Sequence, residues 1–389
     1  MPKRRGVSRK NASSTLLVLV IFLVLGIYYV VTGKNPGGVL GGETANPTGA
    51  APTAANASSD WWEVYFTDPL HVNNPGNWQG SIEGRLIDKI NAAQKSIHIA
   101  SFEFDLTPVA EALIAAKQRG VDVRWVTDDE SGLGADEDPG RGQFAMLQNA
   151  GIEVHADNRS ALMHNKFWIF DSQIAWTGST NITVSGIFEQ NNNTIVIHSP
   201  VIAAIYEREF EEMWDGHFGP KSPSTADQQS VVVNGTPIQV YFSPEDHVME
   251  HMIPVVSRAQ SSIHFMAFSF TQDLLAQAML DRAKAGIDVS GVFEKVGSET
   301  DSSELRRFYC SKVPARQDGN PKFLHDKVII IDNRFVVSGS FNLSDNATES
   351  NDENVIIIDN PTIANLFTQE FQRVWSVATD PASGTFTCG

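Results

Sequence analysis

His164 and Lys166 stand two residues apart in LMHNKFWIFDSQIAWTGSTN (162–181), and His325 and Lys327 repeat the pair in FLHDKVIIIDNRFVVSGSFN (323–342). An imidazole with an ordinary pKa near 6.5 can act as nucleophile, base or acid close to neutrality. An ammonium is a point charge for phosphate, and hydroxyls and amides can donate hydrogen bonds to its oxygens. Asp171, Ser179 and Asn181 follow the first pair; Asp332, Ser340 and Asn342 follow the second at the same spacing. Two such sets suit covalent phosphoryl transfer. One histidine attacks phosphorus; the other protonates the leaving oxygen and then activates water. Two lysines and four polar side chains would bind the phosphate and stabilise its charge, with no metal or cofactor required.

These groups need a strand to bring them together. Residues i and i+2 of a strand share a face, so His164 and Lys166 project together. Asp171-Ser172-Gln173 reads as a turn, and the returning strand Ile174 to Thr180 leads to Ser179 and Asn181 on one face. The second motif repeats this hairpin.

The two motifs belong to an internal duplication. VYFTDP at Val64 recurs as VYFSPE at Val240, SIHIASFEF at Ser96 as SIHFMAFSF at Ser262, and EFEEMW ending at Trp214 as EFQRVW ending at Trp375. Each copy alternates strand, helix and strand. Thr107 is expected to cap a helix that Gly120 ends; Asp273 and Gly286 take those places in the second copy. The pattern predicts an α/β protein of two similar lobes, each a mixed, parallel-rich sheet flanked by helices. The expected lobes are 61–218 and 233–379, joined by a link at 219–232 and followed by a tail at 380–389. His98 and His264 recur inside apolar strands and read as sheet histidines with satisfied partners. The loop Glu130 to Gln143 reads as a solvated surface loop, with a lid or a cation site as alternatives.

HNKFWIFD and HDKVIIID, each followed after six residues by GSTN or GSFN, resemble the HxKx4Dx6GSxN motif of the phospholipase D superfamily. The resemblance runs from Trp61 to about Thr379. It implies that the two lobes meet at a pseudo-twofold axis and that both motifs build one site. By the same resemblance His164 is the nucleophile and His325 the acid/base, although the symmetry of the motifs leaves that order open. Asp171 and Asp332 are implied to anchor the hairpins rather than touch substrate. Glu353 stands where a carboxylate that orients a histidine is found in the family, and is expected to hold His164 across the interface. The matching position in the first copy is Asn192, a departure that implies unequal support of the two histidines.

Residues 1–12 carry five of the basic residues, and 13–32 form an uncharged apolar run. As a helix that run would reach roughly 30 Å, one hydrocarbon thickness. The basic flank predicts a single-pass anchor in the cell membrane with the catalytic region outside the cytoplasm. A cleaved signal peptide, giving a secreted protein, is the alternative. Residues 33–60 read as a flexible linker. Six of the 29 basic residues lie in 1–34, which leaves 23 against 46 acidic and a formal charge of −23 for the rest. Such a surface repels polyanions. Cys310 and Cys388 either form a disulfide that ties down the tail or remain two thiols.

These features together favour a monomeric phosphodiesterase that cleaves a phospholipid headgroup ester to phosphatidic acid and an alcohol through phosphohistidine. A metal-independent nuclease acting on nucleic acid is the second reading, and a phosphatidyl transferase of cardiolipin synthase type the third. A tethered phosphate-binding module is the reading without catalysis.

Overall fold

The computed structural model describes residues 53–224 and 229–388. The expected basic tail and the anchor at 13–32 lie outside the described residues. Among the described residues no helix is long and apolar enough to cross a membrane.

Each lobe contains an eight-stranded sheet. The strands of the first are β1 (Ala57–Ser58), β2 (Trp62–Phe66), β3 (Ser96–Ser101), β4 (Asp122–Thr127), β5 (Glu153–Ala156), β6 (Lys166–Phe170), β7 (Ile174–Gly178) and β8 (Asn193–His198), in the order β1-β2-β8-β7-β6-β3-β4-β5. The second has β9 (Ser230–Val233), β10 (Thr236–Ser243), β11 (Ser262–Ala267), β12 (Asp288–Phe293), β13 (Ala315–Gln317), β14 (Lys327–Ile331), β15 (Phe335–Gly339) and β16 (Glu353–Asp359), in the order β13-β12-β11-β14-β15-β16-β10-β9.

The sheets are mixed, as expected, but not rich in parallel pairs. Only β3–β4 and β4–β5 are parallel in the first, and only β11–β12 and β12–β13 in the second. Parallel neighbours need a long crossover, which the strand–helix–strand units supply, whereas tight turns join antiparallel neighbours. The motif hairpins turn on two residues in the left-handed region, Asp171 and Ser172 at φ 54° and 53°, and Asp332 and Asn333 at 56° and 48°. Such turns match strand twist and force antiparallel pairing.

Local signals were off by a residue at the helix starts. Helix Thr107–Gln118 has Leu106, not Thr107, at its cap position, and the Thr107 hydroxyl instead accepts from Gln143 Nε2 at 3.1 Å. Helix Asp273–Lys284 is capped by the Gln272 amide rather than by Asp273. The stops hold: Gly120 and Gly286 sit at φ 92° and 90°, where a side chain is strained. Order also starts earlier than Trp61. β1 pairs with β2, and Asn56 Oδ1 accepts from Phe66 N at 2.7 Å, so the end of the expected linker is an edge strand. β9 likewise begins inside the expected link.

Three apolar clusters hold the fold. Each lobe has its own on the outer face of its sheet, built around Trp125 and Trp168 in the first and Phe265 and Phe293 in the second. The third is shared: Phe167, Ile169 and Tyr206 of the first lobe pack with Phe242, Val328, Ile330 and Phe367 of the second. The shared core makes the described residues one compact unit, and fixes the two motif hairpins relative to each other.

Candidate functional site

The lobes are stitched together at the residues that enter each motif. His164 N donates to Asp352 O at 2.9 Å, and His325 N donates to Asn191 O at 2.9 Å. Each motif strand is therefore registered against the segment that leads into the other lobe's β16 or β8. Side chains continue the stitching. Thr177 Oγ1 donates to Asn354 Oδ1 at 2.6 Å, and Asn354 Nδ2 donates to Asn165 Oδ1 at 2.9 Å. In the mirror position Ser338 Oγ donates to Asn193 Oδ1 at 2.8 Å, and Asn193 Nδ2 to Asp326 Oδ1 at 2.6 Å. Sequence reading missed Asn193 and Asn354; their recurrence at matched places in the two copies was the available signal.

Each histidine is oriented from the opposite lobe. His164 Nδ1 lies 2.7 Å from Glu353 Oε2, and His325 Nδ1 lies 2.8 Å from Asn192 Oδ1 and 3.1 Å from Ser179 O. The Asn192 and Ser179 oxygens hold a proton on Nδ1 of His325, the ionised Glu353 carboxylate does so on Nδ1 of His164, and Nε2 is left as the free nitrogen of each ring. Lys166 Nζ donates to His164 O at 2.9 Å, and Lys327 Nζ to His325 O at 2.7 Å. A phenylalanine backs each pair. The Phe102 ring is 4.8 Å from that of His164 and 5.0 Å from Lys166 Nζ; Phe268 is 4.8 Å from His325 and 4.9 Å from Lys327 Nζ. These two rings were also missed, although FEF and FSF occupy equivalent places in the repeat.

The charges act on one another across the lobe boundary. Burial pushes His164 well below 6.5, and the Lys166 and Lys327 charges push it further. Burial, Lys327, Lys166 and His164 do the same to His325. Both lysines thus act on both imidazoles, which sets the four buried groups near one another across the lobe boundary. Burial brings Lys166 down to about 8 against the opposing pull of Glu353, Glu103 and Asp128. Burial also lowers Lys327 well below its ordinary value, helped by Lys166. Glu353 is pushed up by burial to about 8, opposed by Lys166, Ser340, Asn351 and Lys327. Burial thus holds down the charge of all four groups, and an anion beside them would favour the charged lysines.

The remaining motif residues divide by depth. Asp171 Oδ1 accepts from the backbone N–H of Gln94, Lys95 and Ser96 at 3.0, 2.6 and 3.0 Å, tying the hairpin turn to the start of β3. Asp332 makes the matching bonds to Gln260, Ser261 and Ser262. Burial opposes the ionised form of Asp332, but these donors outweigh it and hold the carboxyl below its usual range. Ser179 and Ser340, expected to contact phosphate, are fully buried. Ser179 Oγ donates to Asn192 Oδ1 at 2.8 Å and accepts from Asn193 N; Ser340 Oγ accepts from Asn354 N at 2.9 Å and hydrogen-bonds Glu353. Their hydroxyls are committed to the groups that orient the histidines. They reach that depth because Gly178 and Gly339 precede them: a Cβ there would fall 2.3 and 2.2 Å from the carbonyl oxygens of Asn193 and Asn354. Asn181 and Asn342 differ in leaving their side-chain carbonyl oxygens buried and unpartnered.

The other candidates have partners of their own. His98 bonds Glu207 and stacks on Phe210 at 4.8 Å; His264 reaches Asp288 at 3.4 Å and stacks on Phe371 at 4.7 Å. In the loop 130–143, Asp136 accepts from the N–H of Gly142, Phe144 and Ala145 and so caps helix Gln143–Asn149. Cys310 and Cys388 form a disulfide.

Residues 86–214 and 252–375, more than half of the chain, match the family model described as "Cardiolipin synthase, PLD-like domain". Mitochondrial cardiolipin hydrolase of Xenopus laevis is 34% identical over 131 residues, which are 34% of this chain and 60% of that protein. Phospholipase D of Rickettsia bellii is 28% identical over 134 residues, 34% of this chain and 67% of that one. The chain thus spans about 60% of the length of the first of these relatives. Among solved structures, phosphatidylserine synthase of Haemophilus influenzae covers 81% of this chain and 87% of its own at 14% identity, with a TM-score of 0.58, a likeness of fold alone. The duplicated motif, the sheet order and the match over both lobes lead to one conclusion: the chain belongs to the phospholipase D superfamily.

Proposed function

We propose that the protein is a phosphodiesterase that hydrolyses the headgroup ester of a phospholipid to phosphatidic acid and an alcohol. The observation that supports this most directly is the crossed support of two buried histidines, His164 by Glu353 and His325 by Asn192, beside two lysines. His164 Nε2 attacks phosphorus, and the bond to the leaving oxygen breaks as His325 delivers a proton to it. The substrate's negative charge offsets the two lysines and raises the imidazoles, which gives His325 that proton. Glu353 balances the positive charge on the phosphorylated ring of His164. His325 then takes a proton from water, whose oxygen displaces His164 and completes the phosphatidic acid.

Lys166, Lys327, Asn181 and Asn342 bind the phosphate in this reading. Ser179, Ser340, Asp171 and Asp332 are positioning residues. The lipid choice rests on two supports. Relatives carry the names cardiolipin hydrolase and phospholipase D. A formal charge of −23 beyond residue 34 disfavours a polyanionic substrate. The apolar run at 13–32 would hold a monomer at the membrane with this site outside the cytoplasm.

Side-by-side assays in EDTA on phosphatidylcholine vesicles, cardiolipin vesicles and single-stranded DNA test the proposal. Lipid hydrolysis that is lost in both His164→Ala and His325→Ala is the expected result. DNA cleavage with lipid untouched replaces the substrate. Transfer of the phosphatidyl group to an added alcohol instead of water makes the protein a transferase, and phosphate binding without turnover makes it a binding module.

A further inference from the structure

Five large apolar side chains are exposed among the described residues: Leu70, Val72, Val201, Val232 and Leu274. Their places relative to the site are not random. Phe66 ends β2 opposite Asn193, the neighbour of Asn192, so the chain leaves the sheet at the edge that holds the site and immediately presents Leu70 and Val72. Ala267 ends β11 opposite Lys327, and the chain passes Phe268 to reach Leu274 in the first turn of helix Asp273–Lys284. Leu70 and Val72 are each 39% exposed and Leu274 66%. Both lobes therefore show apolar side chains on the edge where the two motifs meet. Val201 and Val232 lie at the other edge: β8 starts beside the site and runs away from it before Val201, and β10 runs towards the site from the turn next to Val232.

The lobe-1 residues are held rigidly. Asp68 O accepts from both His71 N and Val72 N, and its carboxylate accepts from Ala54 N at 3.0 Å and contacts His71 Nδ1 at 2.8 Å. The same bonds show where the amino-terminal part of the chain arrives. Thr53, the first described residue, lines a cavity of about 220 Å³ together with His71 and Val72. Residues 33–52, 20 in number, separate the apolar run from this point in the sequence. The chain from a membrane anchor would enter at the site's own edge.

We infer that this edge is an interfacial surface: Leu70 and Val72 of the first lobe and Leu274 of the second insert into the headgroup region of a bilayer and turn the active site towards lipid. An apolar rim gains free energy on leaving water, and the net negative charge of the chain gives no overall attraction to an anionic surface. The bilayer it fits is zwitterionic, because an anionic one would repel the charge of −23. This deepens the lipid reading above but rests on different residues.

The full chain reconstituted into phosphatidylcholine vesicles tests it, with a triple variant Leu70→Asp, Val72→Asp, Leu274→Asp and a control Val201→Asp, Val232→Asp. Backbone hydrogen exchange at 68–74 and 272–276 should be at least threefold slower in wild type and control than in the triple variant. The ratio of phosphatidylcholine turnover to that of a soluble chromogenic diester should fall at least tenfold in the triple variant and stay within twofold in the control. Equal exchange in wild type and triple variant overturns the docking, whatever the activity. Wild type that cleaves the soluble diester but no lipid overturns the substrate reading instead, and exchange still decides the docking.

Discussion

His164 Nδ1 and Glu353 Oε2 lie 2.7 Å apart although they come from different lobes, while the mirror-related His325 meets the neutral amide of Asn192 at 2.8 Å. The duplication has kept the crossing and made its chemistry unequal. A carboxylate favours the ring that gains positive charge on forming a covalent bond to phosphorus, so the asymmetry supports His164 as nucleophile. Glu353→Gln keeps the shape and removes the charge. Phosphoenzyme formation in single turnover should slow by about 100-fold, with KM within about threefold. An unchanged single-turnover rate would remove Glu353 from this role.

The pH profile follows from the two shifts near 8. Glu353, raised to about 8, supplies its carboxylate above that value and loses it as pH falls. Lys166, lowered to about 8, supplies its charge below that value and loses it as pH rises. His325 must also carry the proton it delivers, and in the free protein it is pushed well below 6.5, so its loss of proton offsets the gain of the Glu353 carboxylate. The product is a kcat/KM that is level below about pH 8 and falls above it. Glu353→Gln removes the offsetting gain and should make kcat/KM fall already below pH 8, and Lys166→Arg should move the fall above pH 8 upward. A kcat/KM on a soluble diester that still rises above pH 8 contradicts the assignment.

The motif hairpins were legible in the sequence because period-two chemistry and left-handed turn residues coincide there. The helix stops at Gly120 and Gly286 were legible for the same kind of reason, since a positive φ leaves a residue-type signature. Parallel content was overestimated because strand–helix–strand signals are strong, whereas β2–β8 and β10–β16 pair residues more than a hundred positions apart with no turn between them. Serine at 179 and 340 reads as a phosphate ligand by type alone. Its commitment to Asn192 and Glu353 depends on depth, which Gly178 and Gly339 create through contacts with distant strands. The crossing of Glu353 to His164 was accessible only through the family resemblance.

Asp171 joins the first hairpin turn to three successive backbone donors ahead of β3. Asp171→Ala leaves those donors to solvent and should cost about 2–3 kcal/mol of stability. Asp171→Asn, which keeps one acceptor oxygen, should recover roughly half of that loss. Because the carboxylate is engaged by the backbone at 94–96 and not by either histidine or lysine of the motifs, kcat at 25 °C should fall less than about tenfold. Denaturant midpoints and kcat on the same preparations distinguish this anchor from a group that acts on substrate, for which activity would vanish with stability intact.

The Cys310–Cys388 bridge closes a loop with a sequence separation of 78 and secures a tail whose Phe386 packs on Tyr309 at 5.3 Å. Loop entropy alone sets a ceiling of about 4.5 kcal/mol on its contribution. Cys388→Ser should lower stability by about 2–4 kcal/mol, with activity at 25 °C within twofold, since the bridge lies away from both motifs. Reduction of the wild type should reproduce the shift in thermal midpoint. No shift on reduction would show that the two thiols are not joined in the protein.

Glu245 lies where the first lobe's last long helix meets the turn after β10, among Glu212, Asp246 and Asp352. Burial pushes its carboxyl up to about 8; its own backbone N–H opposes, and Asp246, Asp352 and Glu212 add to the rise. Its Oε2 has no partner. In the unfolded chain the group ionises near 4.3, so from there to about pH 8 the unfolded state binds fewer protons than the folded one. Stability from this group is therefore fully present below about pH 4 and is lost as pH rises towards 8. Glu245→Gln removes the titration while keeping the volume. It should raise stability at pH 8.5 by about 1–2 kcal/mol, less than the full shift implies because the side chain is partly exposed, and change little at pH 5. Thermal midpoints of wild type and variant at both pH values check the sign. A variant destabilised equally at both would mean that the carboxyl is needed as a hydrogen-bonding group and not tolerated as a buried acid.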